Sequence, residues 1–226
     1  MRIITDFDGP IMDLSDRYYH VYQLCLQQIK LPDQPMRILS KAEFWGYKRD
    51  RIPERAIGIK SGLTAAQAEI FKEVRDRHAH QLEYLQLDRV IPGAIETLAQ
   101  IKSAGIELIV MTLRRTSELN VAFEQYDLGR FFPPDCCYCL RNDHLKQGDI
   151  PDKQLLMAQA LADLGDKPDT WMIGDTETDI LAARAYGIRS IGVLSGIRNR
   201  TRLSDYQPDL IVTDLAHAVN TIRQHS

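Results

Sequence analysis

Short apolar, β-branched runs alternate along this chain with longer stretches whose apolar residues recur at helical spacing, and this alternation restricts the available folds more than any other feature. The runs are Ile3-Ile4, Ile106 to Met111, Trp171 to Ile173, Ile191 to Val193 and Leu210 to Val212. Helical spacing occupies Ala94 to Ser103, Ser117 to Tyr126, Gln154 to Leu164, Asp179 to Tyr186 and Leu215 to Arg223. Strand, helix and strand in repetition call for crossover connections, so the pattern predicts an α/β fold: a Rossmann-like parallel sheet flanked by helices. Residues 15–88 break the rhythm. They offer helical spacing at Arg17 to Lys30, Lys41 to Arg49 and Ala65 to Leu87 but no strand pattern, and Pro92-Gly93 marks the return to the sheet. The expected division is a core made of 1–14 and 89–226, with an all-helical module inserted over 15–88. A chain of 226 residues is long enough for one core and such an insertion, and too short for two full-sized domains.

Composition narrows the partners. Hydrophobic residues at 44% and charged residues at 26% match a globular protein rather than a disordered or membrane one. The net charge of -3 lacks the clustered basic excess of a phosphate-backbone binder, so no nucleic acid is expected. No apolar run reaches the length of a membrane span, and the stretch before Asp6 and Asp8 is too short and acidic for a signal peptide, so a cytoplasmic location is expected. Three of the four cysteines, Cys136, Cys137 and Cys139, crowd one segment, which is a poor disulfide framework. Cys136 and Cys139 have ligand-like spacing near His144, but no second cysteine pair completes a zinc site. The cluster also occupies the place of a core strand, where free thiols pack as small apolar groups. Tyr18, Tyr19, Tyr22, Phe44 and Trp45 have the spacing of packing residues within the helical module.

Four elements carry candidate chemistry. Asp6-Phe7-Asp8-Gly9-Pro10 places two carboxylates where the first strand opens into a loop. Thr112 follows the run Ile106 to Met111, on the edge where open α/β sheets bind ligands, although a helix N-cap would use the same residue. Gly174-Asp175-Thr176-Glu177-Thr178-Asp179 follows the run Trp171 to Ile173, and its acids suit either a hard-cation site or a helix N-terminus stabilised by the dipole. Lys153 stands at the expected start of a helix, where a cation gains nothing from the dipole, with Lys146 a nearby competitor. Each falls at the carboxyl end of an expected strand or in the loop beyond. Together they offer a nucleophile, acids for a cation, a hydroxyl donor and a lysine, which is the equipment of phosphoryl transfer. Carboxylates beside phosphate oxygens suit magnesium, a hard ion.

With these motifs the sequence resembles the haloacid dehalogenase-like hydrolase superfamily, in its phosphoglycolate phosphatase-like branch with a helical cap. The resemblance runs from Asp6 to Pro208-Asp209-Leu210-Ile211-Val212. It is most specific in Ile173-Gly174-Asp175-Thr176 through Asp179-Ile180, followed by Ala182-Ala183, Gly187 and Ile191-Gly192-Val193. It implies Asp6 as the nucleophile that forms an aspartyl-phosphate and Asp8 as general acid and base. Thr112 and the following amides, from Leu113 on, would hold phosphoryl oxygens, and Lys153 would steady Asp6 and the developing charge. Magnesium would be held by the Asp6 side chain, the Asp8 main-chain carbonyl, Asp175 and Asp179. Residues 15–88 would be the cap. The implied activity is magnesium-dependent hydrolysis of small phosphate monoesters, with a sugar-phosphate mutase or a pseudophosphatase binding module as alternatives. Two positions depart from the family: Pro10 stands where Thr or Val is usual, and Gln154 rather than Pro follows the lysine. The cations of Lys48 to Arg55 and Arg114-Arg115 lead to a further expectation, a small phosphorylated metabolite bearing a second anionic group, with Arg49 and Arg114 at its far end.

Overall fold

The structure, a computed structural model, describes residues 1–224. The chain opens with β1 (Arg2–Thr5) and a two-residue strand β2 (Met12–Asp13). Five helices follow: α1 (Ser15–Ile29), α2 (Lys41–Arg49), α3 (Glu54–Lys60), α4 (Ala65–His78) and α5 (Leu82–Leu85). After β3 (Arg89–Val90) come α6 (Ala94–Ser103), β4 (Glu107–Arg115), α7 (Thr116–Tyr126), β5 (Cys137–Leu140), α8 (Asp149–Leu164), β6 (Thr170–Gly174) and α9 (Glu177–Ala185). The chain continues through β7 (Arg189–Val193), α10 (Arg200–Ser204), β8 (Leu210–Val212) and α11 (Leu215–Gln224).

Two compact units result, one formed by Met1–Asp13 with the chain from Arg89 onward, the other by Leu14–Asp88. In the first, six parallel strands form one sheet in the order β5-β4-β1-β6-β7-β8. Its strands are apolar at successive positions because both faces are covered. Ile3, Leu108, Val110, Trp171 and Ile173 pack on one side with residues of α6, α7 and α11. Ile4, Ile109, Met111 and Met172 face the other, against Leu156, Met157 and Ala160 of α8 and Ala182 and Ala183 of α9. The cysteine-bearing strand β5 forms the sheet edge, where Cys137 and Cys139 are half-buried against the first cluster. The small antiparallel pair β2–β3, unforeseen in the sequence, joins Asp13 to Arg89 where the chain leaves this unit and returns.

The helical unit has its own core. Tyr22 is fully buried, stacked on Phe44 with ring centroids 4.8 Å apart and meeting Phe71 edge-on at 6.2 Å. Its hydroxyl is paired with Ser61 Oγ at 2.9 Å and accepts from the Leu39 amide at 2.9 Å, so the buried polar tip is satisfied. Tyr18, Tyr19 and Trp45 pack half-buried around this centre, as their spacing predicts. The long helix expected over Ala65 to Leu87 is instead broken after His78, and α5 resumes at Leu82.

Arg17 and Asp88 close the two ends of this unit. Arg17 Nε donates to Asp88 Oδ1 at 2.8 Å, Arg17 Nη1 donates to the Ala79 carbonyl, and both side chains are almost wholly buried. Removing the anion strands a buried guanidinium, so Asp88→Ala is expected to destabilise the protein by about 3–5 kcal/mol. Denaturant unfolding followed by far-ultraviolet dichroism measures this, and a loss under about 1 kcal/mol would show that the pair contributes no more than an exposed one.

Candidate active site

Asp6 and Asp175 directly follow β1 and β6, and Thr112 lies in the second half of the neighbouring β4, with β1 between β4 and β6. Asp6 follows the last residue of β1, and its amide is fixed to the Ile173 carbonyl of β6 at 2.7 Å. The edge is the one on which open α/β sheets collect ligands.

Lys153 joins the elements. Its ammonium forms ion pairs with Asp6 Oδ1 at 3.0 Å and Asp179 Oδ1 at 2.8 Å and donates a hydrogen bond to the Met111 carbonyl at 2.8 Å. The sequence places this lysine at a helix start, but α8 begins earlier, at Asp149, and Lys153 stands in its second turn. Pro151 does not block that start because the first-turn amides have no partner within a helix. Asp152 also holds the entry, accepting from the Gln147 and Gly148 amides and pairing with His144 Nε2 at 2.9 Å. The competing Lys146 is instead half-exposed and paired with Asp149.

Carboxylate oxygens of Asp6, Asp175 and Asp179 lie within 4.8 Å of one another, and among the described residues they form the one such group of His, Cys, Asp or Glu able to hold a metal ion. Three acids face one lysine. Burial, then the nearby Asp179, pushes the Asp6 carboxyl well above the usual range, against the pull of Lys153. Burial also pushes Asp175 up to about 7, with Asp179 adding to the rise and the Ile197 amide opposing it. Burial works to lower the Lys153 ammonium, but Asp179 and Asp6 overcome it and leave its pKa raised. Hard oxygen donors with uncompensated negative charge match a magnesium-type ion.

Glycines let the acids come this close. A Cβ on Gly9 or Gly196 would collide with the Asp175 carboxylate, and one on Gly174 with that of Asp179. Gly9 also has a φ of +91°, in the left-handed region that favours glycine. The turn is closed by the Gly9 amide to the Met12 carbonyl, at 2.8 Å, and by the Ile11 and Met12 amides to the Phe7 carbonyl. These bonds draw on Gly9, Ile11 and Met12 as donors, so the amide missing at Pro10 costs the turn none of them.

The segment after β7 completes the site and was not singled out in the sequence. Ile197 donates its amide to Asp175 Oδ2 at 2.6 Å, Ser195 Oγ donates to the Gly9 carbonyl at 2.7 Å, and Arg198 pairs with Glu177 through two bonds at 2.9 and 3.2 Å. The one available signal is Gly196, in a loop beyond a strand.

Asp8 and the residues after Thr112 make contacts of their own at this edge. Thr112 is buried, but it lies within β4, which runs on to Arg115 while its pairing with β5 loses register between Met111 and Arg115. Its Oγ1 accepts from the Arg114 amide at 3.1 Å, and Leu113 is half-buried. The Arg114 side chain, expected at the far end of a substrate, is turned onto Asp8. Arg49 belongs to the other unit, at the end of α2.

A HAD-hydrolase-like family model matches residues 152–218, which carry Lys153, Asp175 and Asp179. Phosphoglycolate phosphatase of Aliivibrio fischeri is 27% identical over 222 residues, covering 92% of this chain and 90% of that protein. Sequence and fold together support the haloacid dehalogenase-like hydrolase superfamily, in its phosphoglycolate phosphatase-like branch. Phosphoglycolate phosphatase 1 of Pseudomonas aeruginosa is 27% identical over 159 residues, which span 70% of this chain and about half, 54%, of that protein. A haloacid dehalogenase-like family protein of Streptococcus pneumoniae has the same fold, with a TM-score of 0.71 at 20% identity over 97% of both chains. The two phosphoglycolate phosphatases support a phosphatase enzyme. No helix among the described residues is long and apolar enough to cross a membrane.

The raised Asp175 pKa makes stability depend on pH. In the folded chain the proton is held more tightly than in the unfolded chain, where the value is near 3.8. Its contribution is therefore full below that value and is lost as the pH rises toward and through 7. In chelator-treated buffer, the midpoint of thermal unfolding is expected to fall between about pH 5 and about pH 8, and to fall less in Asp175→Asn. Parallel profiles for the two proteins would contradict the assignment.

Proposed function

We propose that this protein is a magnesium-dependent phosphohydrolase that transfers the phosphoryl group of a small phosphate monoester onto Asp6 and then to water. The observation that carries the reading is the joining of Asp6, Asp179 and the Met111 carbonyl of β4 by the buried ammonium of Lys153. A nucleophilic carboxylate held by a fixed cation is prepared for a dianionic substrate, since the repulsion of its own charge is already offset.

Asp6, Asp175 and Asp179 would hold the magnesium ion, with the Asp8 main-chain carbonyl as a further ligand. Magnesium, when bound, supplies charge neutralisation at the phosphoryl oxygens and orients them. The Asp6 carboxylate attacks phosphorus, and one Asp6 oxygen–phosphorus bond forms as the bond to the leaving oxygen breaks. Asp6 has a second oxygen, Oδ1, which accepts from the Phe7 amide at 2.7 Å and faces Lys153, so the carboxylate is oriented at its back. Asp8 gives its proton to the leaving oxygen. In the second half it takes a proton from the water that attacks the aspartyl-phosphate, which releases phosphate and restores Asp6. Thr112, with its oxygen already accepting from Arg114, keeps its hydroxyl hydrogen for a phosphoryl oxygen, and the Leu113 amide is the next donor along the chain.

The relatives are named for phosphoglycolate, a phosphate ester that also carries a carboxylate. This agrees with a small, doubly anionic substrate, and the helical unit would supply its selectivity, with Arg49 the first candidate contact.

Asp6→Asn keeps the shape of the side chain and removes the nucleophile. Its turnover of an aryl phosphate is expected to fall to under about a tenth of wild type, a barrier increase above about 1.4 kcal/mol. A variant that retained more than this would rule out the covalent route. Activity is expected to vanish in excess chelator, and Asp175→Ala should raise the magnesium concentration for half-maximal rate, as one oxygen ligand is gone. Undiminished turnover in chelator would show that no divalent ion takes part. In a panel of phosphorylated metabolites, Arg49→Ala should reduce the preference for esters that carry a carboxylate, and an unchanged order of substrates would remove Arg49 from the site.

A further inference from the structure

Arg114 is the most constrained cation at the edge of the site that the proposed chemistry does not use. Its guanidinium grips the Asp8 carboxylate through three contacts, Nη2 to Oδ1 at 2.6 Å and Nε to Oδ1 and Oδ2 at 3.0 and 3.1 Å. The Arg114 side chain is 4% exposed, whereas that of Asp8 is 28% exposed. The arginine is the fixed partner, and the acid reaches it from the open side. The guanidinium also lies over the Phe7 ring, 5.0 Å from its centroid, and Phe7 is fully buried in the core of the sheet unit. The Arg114 amide donates to Thr112 Oγ1 at 3.1 Å. One residue therefore sets the orientation of two side chains of the site, Thr112 by its backbone and Asp8 by its side chain.

An anchored fork that meets a carboxylate in this way fixes the plane of that carboxylate as well as its position, which a lysine cannot do. Asp8 needs such help. It stands in a turn built on Gly9 and Pro10, and its side chain is the least buried among the acids of the site. We infer that Arg114 is the positioning residue of the general acid: it holds the Asp8 carboxyl group in register with the leaving oxygen and does not contact the substrate. This rests on the phosphohydrolase reading, in which Asp8 passes its proton to the leaving oxygen as the bond from that oxygen to phosphorus breaks and the Asp6–phosphorus bond forms. The transfer leaves Asp8 as a carboxylate, the form that the guanidinium fork fits.

The inference has a signature that a structural role would not produce. A leaving group that departs readily as an anion needs little proton transfer, whereas an aliphatic alkoxide needs it fully. Arg114→Met and Arg114→Lys are to be compared with wild type on 4-nitrophenyl phosphate and on glycerol 2-phosphate, or on the aliphatic ester that the metabolite panel shows to be turned over fastest. For Arg114→Met, kcat on the aliphatic ester is expected to fall about ten- to a hundredfold, with under about a threefold loss on the nitrophenyl ester and little change in either KM. Arg114→Lys, which keeps the charge and loses the fork, is expected to fall between. In an Asp8→Asn background, Arg114→Met should change the ratio of the two rates no further. Equal losses on both esters, no loss, or a rise in KM for the aliphatic ester with kcat preserved would each overturn the inference. If Arg114→Met does not fold, the Arg114→Lys ratio decides by the same criterion. A wild-type protein inactive on every ester would instead overturn the phosphohydrolase reading itself, and this inference with it.

Discussion

The ammonium of Lys153 is the contact on which the site depends. A lysine this buried persists only with its charge paired, because an unpaired charge away from water costs several kcal/mol. Its three partners come from the end of β1, the middle of β4 and the first turn of α9. One side chain on α8 thereby fixes the spacing of segments that are up to 173 residues apart in sequence, from Asp6 to Asp179. Asp6 and Asp179 need the lysine as much as it needs them, since each is a carboxylate in a nearly dry pocket.

Charge at this edge is left unbalanced on purpose of geometry rather than by accident of composition. Asp6, Asp175 and Asp179 converge through glycine backbone that leaves no room for a side chain, and one lysine offsets only part of their charge. Burial and mutual repulsion raise the pKa values of Asp6 and Asp175, and a divalent ion bound between them would lower both. The Ile197 amide and the Arg198–Glu177 pair restrain the loop around Asp175, so its oxygens are oriented before any ion arrives. Preorganisation of this type is what phosphoryl transfer asks of a protein, because there is little covalent work for it to do beyond the nucleophile.

The two units differ in what their cores allow. The sheet unit is covered on both faces, and its strand ends, which lie outside the two apolar layers, can carry polar chemistry without weakening the core. The helical unit is packed around Tyr22 and closed by Arg17 and Asp88, an arrangement that makes it a compact body with its own interior rather than an extended loop. An insertion of that kind can change its surface without disturbing the strand ends that hold Asp6 and Asp175.

Much of this was legible in the sequence, for local reasons. Apolar runs such as Trp171 to Ile173 must be strands because a parallel sheet is buried on both faces, and residues that follow such runs must lie on one edge. Asp6, Thr112 and Asp175 could thus be placed together from order alone, and the spacing of Tyr22 and Phe44 was enough to assign them to a helical core. Other features were decided only by packing in three dimensions. Propensity carried a helix through Ala65 to Leu87, but the chain breaks after His78, and α8 starts at Asp149 because a proline is harmless in a first turn. The choice of Lys153 over Lys146 turned on which ammonium reaches Asp6, and that depends on the docking of α8 against β4. Gly196 acts through the lack of a side chain and Ile197 through its backbone amide, which residue type barely records, and the Ser195 hydroxyl meets a carbonyl that only the fold brings near. Arg114 has the same charge whether it faces solvent, a substrate or Asp8. The sequence by itself determined which groups stand at the strand ends, since periodicity is a property of neighbours along the chain. Which partner each of them meets was left to the tertiary structure, because hydrogen bonds and ion pairs are set by separations in space that no local pattern encodes.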